Sequence, residues 1–376
     1  MQYNAPIFEL LQQRNKIDIK VFYTWGSQVL KKKYDPGFKK NIEWDIPLLD
    51  GYDAVFVNNI AADPGSHHFN GINNPGLVEQ LKEWAPAAVL IFGWSFKSHL
   101  KVLRHFKGKA AVLFRGDSTL LDEPASFSVK KILRRNFLKW VYSHVDIALY
   151  AGTGNKQYFL QHGLQSHQLI FAPHAIDNNR FFLNETTVNK AVDLRIQKGI
   201  AAMDTVFLFA GKLEPKKDPA LLMNAFKKLN NPAAHLIMVG NGELQDTLVA
   251  MSNKLTNIHF VDFQNQLQMP LMYAMADVFV LPSKGPGETW GLAVNEAMAG
   301  AKAVIVSDHC GCAADLVEDG VNGYVFKSGD ESSLYEKMKL LMDKAVTRQM
   351  GEQSLQKVKH WNYQSVCEAI ENSVIS

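Results

Sequence analysis

Cysteine is scarce in this chain: Cys310, Cys312 and Cys367 are the only three among 376 residues. An odd, small number in so long a chain argues against a disulfide framework and for a reducing compartment. Cys310-Gly311-Cys312 has C-x-C spacing, but no further Cys or His pair stands near enough in sequence to complete four zinc-like ligands. The pair is read as two loop thiols. Long apolar runs are lacking too, since none reaches the ~18 to 20 residues that cross a bilayer. The start, MQYNAPIFELLQQRNK, is mixed rather than charged and then apolar, so no secretory signal is read there and the expected location is the cytoplasm. No G-x-G-x-x-G follows an apolar run, which removes the usual dinucleotide fingerprint. Neither a repeat of solenoid period nor a low-complexity tract appears.

What is present suits a large globular protein. A length of 376 residues, 47% of them hydrophobic, exceeds one ordinary core and predicts two domains. The net charge is only +3, yet it is unevenly spread, with +7 up to Arg180 and −4 beyond it. Much of the excess sits in Lys31-Lys32-Lys33, in Lys39-Lys40 and in SVKKILRRNFLKWVY, residues 128–142. That last segment sets Ile132, Leu133, Phe137, Trp140 and Val141 among Lys130, Lys131, Arg134, Arg135 and Lys139 at helical spacing. Such a helix can lie on an anionic membrane surface or meet an anionic acceptor; alternatively it packs its stripe on its own domain as a solvated helix. Nucleic acid is not expected as a partner, because no aromatic-studded basic strand or recognition-helix pattern accompanies the charge.

Apolar, β-rich runs alternate with amphipathic segments along the whole chain, the signature of repeated βα units and a mostly parallel sheet. The first half contributes IDIKVFYT, DAVFV, AAVLIFG, KAAVLFR, VDIALYA and QLIFAP, with helices expected at 75–84, 96–106, 127–143 and 153–161. The pattern pauses through HAIDNNRFFLNETT, read as the interdomain connection. A second series follows: VFLFAG, HLIMVG, IHFVDF, DVFVLPS, AVIVSD and GYVF. The fold class expected is α/β, with two facing Rossmann-like, doubly wound domains. The boundaries drawn are 1–175 for an acceptor domain, 176–355 for a donor domain and 356–376 for a C-terminal helix crossing back to the first.

Ligands of open α/β sheets bind beyond the carboxyl ends of the strands, so the residues after each run are the ones to inspect. VFLFAG leads into Lys212, and Lys216-Lys217-Asp218 follows shortly, placing cations where a diphosphate would need counter-charge. A lone Lys after a strand is ordinarily just solvated. HLIMVG ends in Gly240 and continues through Asn241 to Gly242, a turn whose glycines allow close backbone approach to a ligand. In LPSKGPGETWGLAVNEAMAGAKAVIVSD the strand ends before Lys284, and a helix is expected from Leu292 to Ala299, closed by Gly300. Glu288, Thr289, Trp290, Gly291 and Leu292 then present backbone N–H groups at a helix N-terminus, an anion site. Glu288 and Glu296 can hold sugar and ribose hydroxyls, although two Glu eight apart are equally compatible with structural carboxylates.

These residues resemble the retaining nucleotide-sugar branch of the GT-B glycosyltransferases, glycosyltransferase family 4. The family's E-x7-E signature matches Glu288 to Glu296, and its G-R-L-x-x-x-K-G motif resembles residues 211–218, with Lys212 in the Arg position and Lys217 in the Lys position. Lys for Arg keeps the charge and loses the bidentate fork. The N-G-V-D connector resembles His174-Ala175-Ile176-Asp177, and GCAADLVEDGVNGYVF echoes a further family segment that holds no metal. The resemblance covers nearly all of residues 173–345. It implies a metal-independent enzyme without cofactor that moves a sugar from a nucleotide-sugar donor to a glycan or lipid-linked acceptor, in bacterial surface polysaccharide synthesis, at the inner face of the membrane. The chain has no D-x-D, in keeping with that. Lys212 and Lys217 would stabilise the leaving diphosphate.

The first half resembles the family less. Members begin with an apolar strand and a Gly-rich loop, whereas this sequence opens at the loop and first helix. After KAAVLFR, relatives carry a His-Asp pair where this chain has Arg115-Gly116-Asp117-Ser118. Asp117 could orient the acceptor hydroxyl, accept its proton or hold the donor sugar; it could equally cap a helix. Arg115 could bind an anionic group. Phe22-Tyr23-Thr24-Trp25-Gly26 and Ser66-His67-His68-Phe69 are expected near the acceptor. Two other functions stay open: a non-catalytic carbohydrate- or nucleotide-binding scaffold, and a nicotinamide-dependent two-domain oxidoreductase.

Overall fold

The computed structural model describes residues 2–26, 33–121, 123, 128–252 and 255–375. Lys31, Lys32 and Phe127 lie outside the described residues. The chain forms two compact units: residues 1–32, 47–173 and 363–376 make the first, and 33–46 with 174–362 the second.

In the first unit, β1 (Lys20–Tyr23) is followed by a hairpin, β2 (Lys33–Asp35) and β3 (Lys40–Ile42), that groups with the second unit. Then come β4 (Asp53–Phe56), β5 (Ala88–Phe92), β6 (Ala111–Arg115), β7 (Ile147–Tyr150) and β8 (Leu169–Phe171). Among the described residues β1 pairs in parallel with β4 alone, while β5, β6, β7 and β8 form a separate parallel sheet in chain order. Helix Tyr363–Ile375 returns to this unit and packs on helix Ala5–Arg14, where Arg14 Nε donates to Glu371 over 2.6 Å.

The second unit holds β9 (Thr205–Ala210), β10 (Ala234–Val239), β11 (Ile258–Val261), β12 (Val278–Leu281), β13 (Ala303–Ser307) and β14 (Gly323–Phe326). They form one parallel sheet in the order β11-β10-β9-β12-β13-β14. Numbered within the unit this is 3-2-1-4-5-6, the doubly wound Rossmann order. Helices cover both faces of such a sheet, which is why its strands read as unbroken apolar runs. Every residue of β9, β10, β12 and β13 is buried, and Phe207, Phe209, Leu222, Phe226 and Ile305 belong to one core. Helix starts follow local chemistry. Pro219 opens helix Pro219–Leu229, and the Asp330 carboxylate accepts from Ser333 N at the start of Glu331–Leu340.

Three expectations change. The hairpin at 33–42 does not stay with residues 1–175: Asp35 ion-pairs with Lys212, the Phe38 and Phe263 rings meet edge to face at 4.8 Å, and Lys40 Nζ lies 2.8 Å from Asp262. The polar pause after Pro173 is not a plain connector, since it folds into helix Asn178–Phe181 and the start of helix Glu185–Gln197. Finally, of the predicted stripe on helix Val129–Tyr142 only Val141 is buried, so the alternative in which the whole stripe packs on its own domain does not hold. Leu138, Val141 and Tyr142 face the core, whereas Val129, Ile132, Leu133, Phe137 and Trp140 are each 41% or more exposed.

Candidate functional site

The strand order of the second unit reverses between β9 and β12, and the carboxyl ends there are where an open α/β sheet receives its ligand. Both sequence-predicted clusters fall at this point. Gly211 and Lys212 follow β9, and Lys217 ends the short 3₁₀ turn Pro215–Lys217. The loop from Ser283 to Gly291 follows β12 and enters helix Leu292–Ala299 at Gly291.

The two clusters are joined by charge. Lys217 Nζ donates to Glu288 Oε2 in a short ion pair, and Ser283 Oγ donates to the same oxygen over 2.8 Å. Glu288 is buried, so losing its lysine would leave an uncompensated charge. Lys212 is met by a carboxylate that the sequence reading did not single out: Asp35, 2.9 Å away, with the Phe38 ring beneath the ammonium at 5.1 Å. Burial pushes the Asp35 carboxyl up. Lys212 and the backbone N–H groups of Phe38 and Gly37 outweigh that and hold it below the usual carboxylate range. The signal for this hairpin was the Asp35-Pro36-Gly37 turn triplet between lysine runs.

Glu296 is buried on the helix, where Tyr273 donates its hydroxyl to Oε2 over 2.8 Å. Trp290 is buried as well; its indole N–H donates to Asn295 Oδ1 over 2.8 Å, and the Asn295 amide reaches His174 O at 3.1 Å. Its side chain therefore fixes the loop. The loop is clamped from below, since Gly311 N donates to Glu288 O and Cys312 N to Trp290 O, both over 3.0 Å. A Cβ on Gly311 would sit 1.7 Å from Thr289 O. Cys310 and Cys312 are thus buried under this loop, and burial pushes the Cys310 thiol up to about 12.

Gly240 and Gly242 have a more local reason than the one expected. A Cβ on Gly240 would meet Gly211 O at 2.0 Å, and one on Gly242 would meet Leu213 O at 2.4 Å, so both let the loop after β10 press on the loop after β9.

In the first unit, Asp117 is exposed between half-buried Gly116 and Ser118 after β6 and caps no helix among the described residues; Ser128 caps helix Val129–Tyr142. Arg115 is buried and its guanidinium is taken up by backbone, donating to Ala172 O and Pro173 O over 2.9 Å each. Burial pulls its pKa down to about 10, against the carboxylate of Asp117. Asp63, His67 and His68 bring ligand atoms within 4.8 Å of one another on a surface loop. Asp63 Oδ2 is already 2.9 Å from His67 Nε2.

Residues 192–357 match the family model for glycosyl transferases group 1. A lipopolysaccharide 1,2-N-acetylglucosaminetransferase of Salmonella typhimurium is 32% identical over 148 residues, 36% of this chain and 38% of that protein. A sulfoquinovosyl transferase of Arabidopsis thaliana is 25% identical over 56% of this chain and 40% of its own. The chain thus spans about two fifths of the length of these curated relatives. Among solved structures, Anabaena HepE in complex with UDP superposes with a TM-score of 0.65 at 20% identity, covering 80% of each chain. WaaG, a glycosyltransferase involved in lipopolysaccharide biosynthesis, gives 0.66 at 16% identity over 98% and 94%. The chain thus has the GT-B fold of these solved structures, and its residues 192–357 carry the match to the glycosyl transferases of group 1.

Proposed function

We propose that the chain is a retaining, metal-independent glycosyltransferase that moves a sugar from a nucleotide-sugar donor to a glycan or lipid-linked acceptor. The observation that carries this is the pairing of Lys217 with Glu288 at the strand-order reversal of the second unit, beside the N-terminus of helix Leu292–Ala299. Two cations and a row of backbone N–H groups suit a diphosphate whose charge grows as the sugar leaves. Glu288 and Glu296 then accept from sugar and ribose hydroxyls. The departing phosphate takes the proton of an acceptor arriving on the same face, so the protein supplies position and charge rather than a strong base. HepE, solved with UDP and with UDP-glucose, supports a uridine donor. The lipopolysaccharide enzymes among the relatives support a lipid-linked acceptor.

The acceptor reading places the protein at the cytoplasmic membrane surface. Helix Val129–Tyr142 exposes Leu133, Phe137 and Trp140 beside Lys130, Arg135 and Lys139, which suits the boundary of an anionic bilayer. No described helix is long and apolar enough to cross a membrane. Vesicles of phosphatidylglycerol should sediment the protein and vesicles of phosphatidylcholine should not, with Leu133→Asp weakening the effect; equal recovery with both lipids would refute surface attachment.

The donor site is tested by calorimetric titration of UDP, GDP, ADP and dTDP into wild type and Glu296→Ala with a chelator present. Binding of one nucleotide, weakened at least about tenfold by the substitution, is expected. No binding by any of the four would move the assignment to a non-catalytic scaffold.

A further inference from the structure

The loop between β4 and helix Leu77–Trp84 carries Asp63, His67 and His68, which the sugar transfer proposed above does not use. The neck of this loop is closed by hydrogen bonds. Asn59 Oδ1 accepts from Ala61 N over 3.1 Å and from Asn73 N over 2.9 Å, while its amide donates to Gly71 O over 2.9 Å. Ile60 N donates to Asn73 O over 3.0 Å, and further in Gly65 N donates to Gly71 O over 3.1 Å. A Cβ on Gly71 would meet Gly65 O at 2.1 Å, so the two limbs touch backbone to backbone. The tip therefore stands on a fixed frame, although Asp63 and His67 are exposed.

Three donor groups converge at that tip. His67 Nε2 lies 2.9 Å and His68 Nε2 3.5 Å from one carboxylate oxygen, Asp63 Oδ2, and the ligand atoms of the three residues all lie within 4.8 Å of one another. His68 Nε2 is also 2.9 Å from Asp63 O. Neighbouring ligands around a tetrahedral zinc, bound at about 2.0 to 2.1 Å, stand about 3.4 Å apart, so small side-chain rotations close this set on one ion. Gly65 makes the room for it. A Cβ there would sit 2.4 Å from His67 Nδ1, so the ring rests over the bare glycine with Nε2 turned to Asp63. As hydrogen bonds, two imidazoles on one exposed oxygen compete with water and contribute little.

We propose that Asp63, His67 and His68 form a binding site for one divalent cation of the zinc class, which staples the tip of the loop after β4. Two neutral imidazoles and a carboxylate select that class, because magnesium and calcium take oxygen ligands. Each imidazole binds through a bare Nε2 and keeps its proton on Nδ1, and Asp63 exchanges its hydrogen bonds for a metal bond. Water completes the tetrahedron, and the exposure of Asp63 and His67 lets the ion arrive without the loop opening. The ion joins Asp63 to residues four and five positions further on, at the carboxyl end of β4, the side on which an α/β sheet receives its ligand. The site stands whether or not the chain transfers sugar.

The test titrates zinc chloride calorimetrically into the full chain in a buffer free of phosphate and chelator, with magnesium chloride in parallel. One equivalent of zinc with a Kd of about 10 μM or below is expected, and no binding of magnesium. The double variant His67→Ala, His68→Ala should weaken zinc at least about tenfold. Gly65→Ala keeps all three donors and displaces the His67 ring, so it should weaken zinc by about threefold or more. Hydrogen exchange at the amides of residues 63–71 should slow with zinc in the wild type alone. Absence of zinc binding, magnesium binding as tightly as zinc, or an affinity unchanged in the double variant overturns the proposal. Should the double variant fail to fold, the ring signals of the wild type decide: zinc must shift those of His67 and His68 first, and an even shift across the twelve histidines rejects the site.

Discussion

The two sheets of this protein are built from similar runs and end in different states. In the second unit, six strands form one ladder and the four central ones are wholly buried. In the first, the ladder is divided between β1 and β5, and the strands on either side of the division stay partly open. Apolar composition alone does not make a core; a strand is buried when both of its edges are paired and both of its faces covered.

The largest test of this contrast replaces equivalent side chains. Leu208→Ala, in the closed sheet, should cost about 3 to 5 kcal/mol, while Leu90→Ala, half-buried in β5, should cost about 1 or less; urea midpoints of both variants decide, and equal losses would remove the distinction. Next in size is Gly311→Ala. The added methyl meets Thr289 O, so the loop carrying Glu288 must shift, at about 1 to 3 kcal/mol and with nucleotide affinity lost; a variant that binds like wild type would show that the clamp is dispensable.

Lys217→Met should weaken nucleoside diphosphate binding about ten- to a hundredfold, and Lys216→Met, whose partner is Glu214 at 3.4 Å, by less than about twofold. If both change alike, the cluster acts by general charge and not by position. The smallest effect concerns acid. Burial first, then the neighbouring His235 and Lys198, pushes His259 down to about 4. The unfolded chain therefore takes up a proton that the folded one refuses. Stability is complete above the ordinary histidine range near 6.5 and falls as pH drops from there toward about 4. His259→Asn should flatten part of that decline in unfolding measured at pH 7 and 5.

The contrast also marks what could be read from the sequence. All twelve strands of the parallel sheets stood out as apolar runs, most plainly β9, β10, β12 and β13, where burial on both faces leaves no polar alternation to confuse them. The hairpin β2–β3 did not. It is three residues a side, charged, and held by Asp35 and Phe38 against residues far along the chain. Glu288 and Glu296 stood out in the sequence as one loop-and-helix pair, and Lys212 and Lys217 as neighbours in the loop after β9. Asp35, Tyr273 and Ser283, which hold them, come from separate elements that only the fold assembles. In helix Val129–Tyr142 the periodicity was visible and its face was not, since Leu138 and Tyr142 serve the core as well as the stripe residues could.

Each cation proposed to receive the donor already holds a carboxylate: Lys212 has Asp35 and Lys217 has Glu288. Arrival of a diphosphate at such a site is an exchange of anions rather than the filling of an empty positive hollow. The resident carboxylates are tethered, so their local concentration is high, and a singly charged ion from solution competes poorly with them. A ligand carrying two or three charges on adjacent phosphates could displace both at once, so the proposed site would sort its visitors by valence before any contact with the sugar.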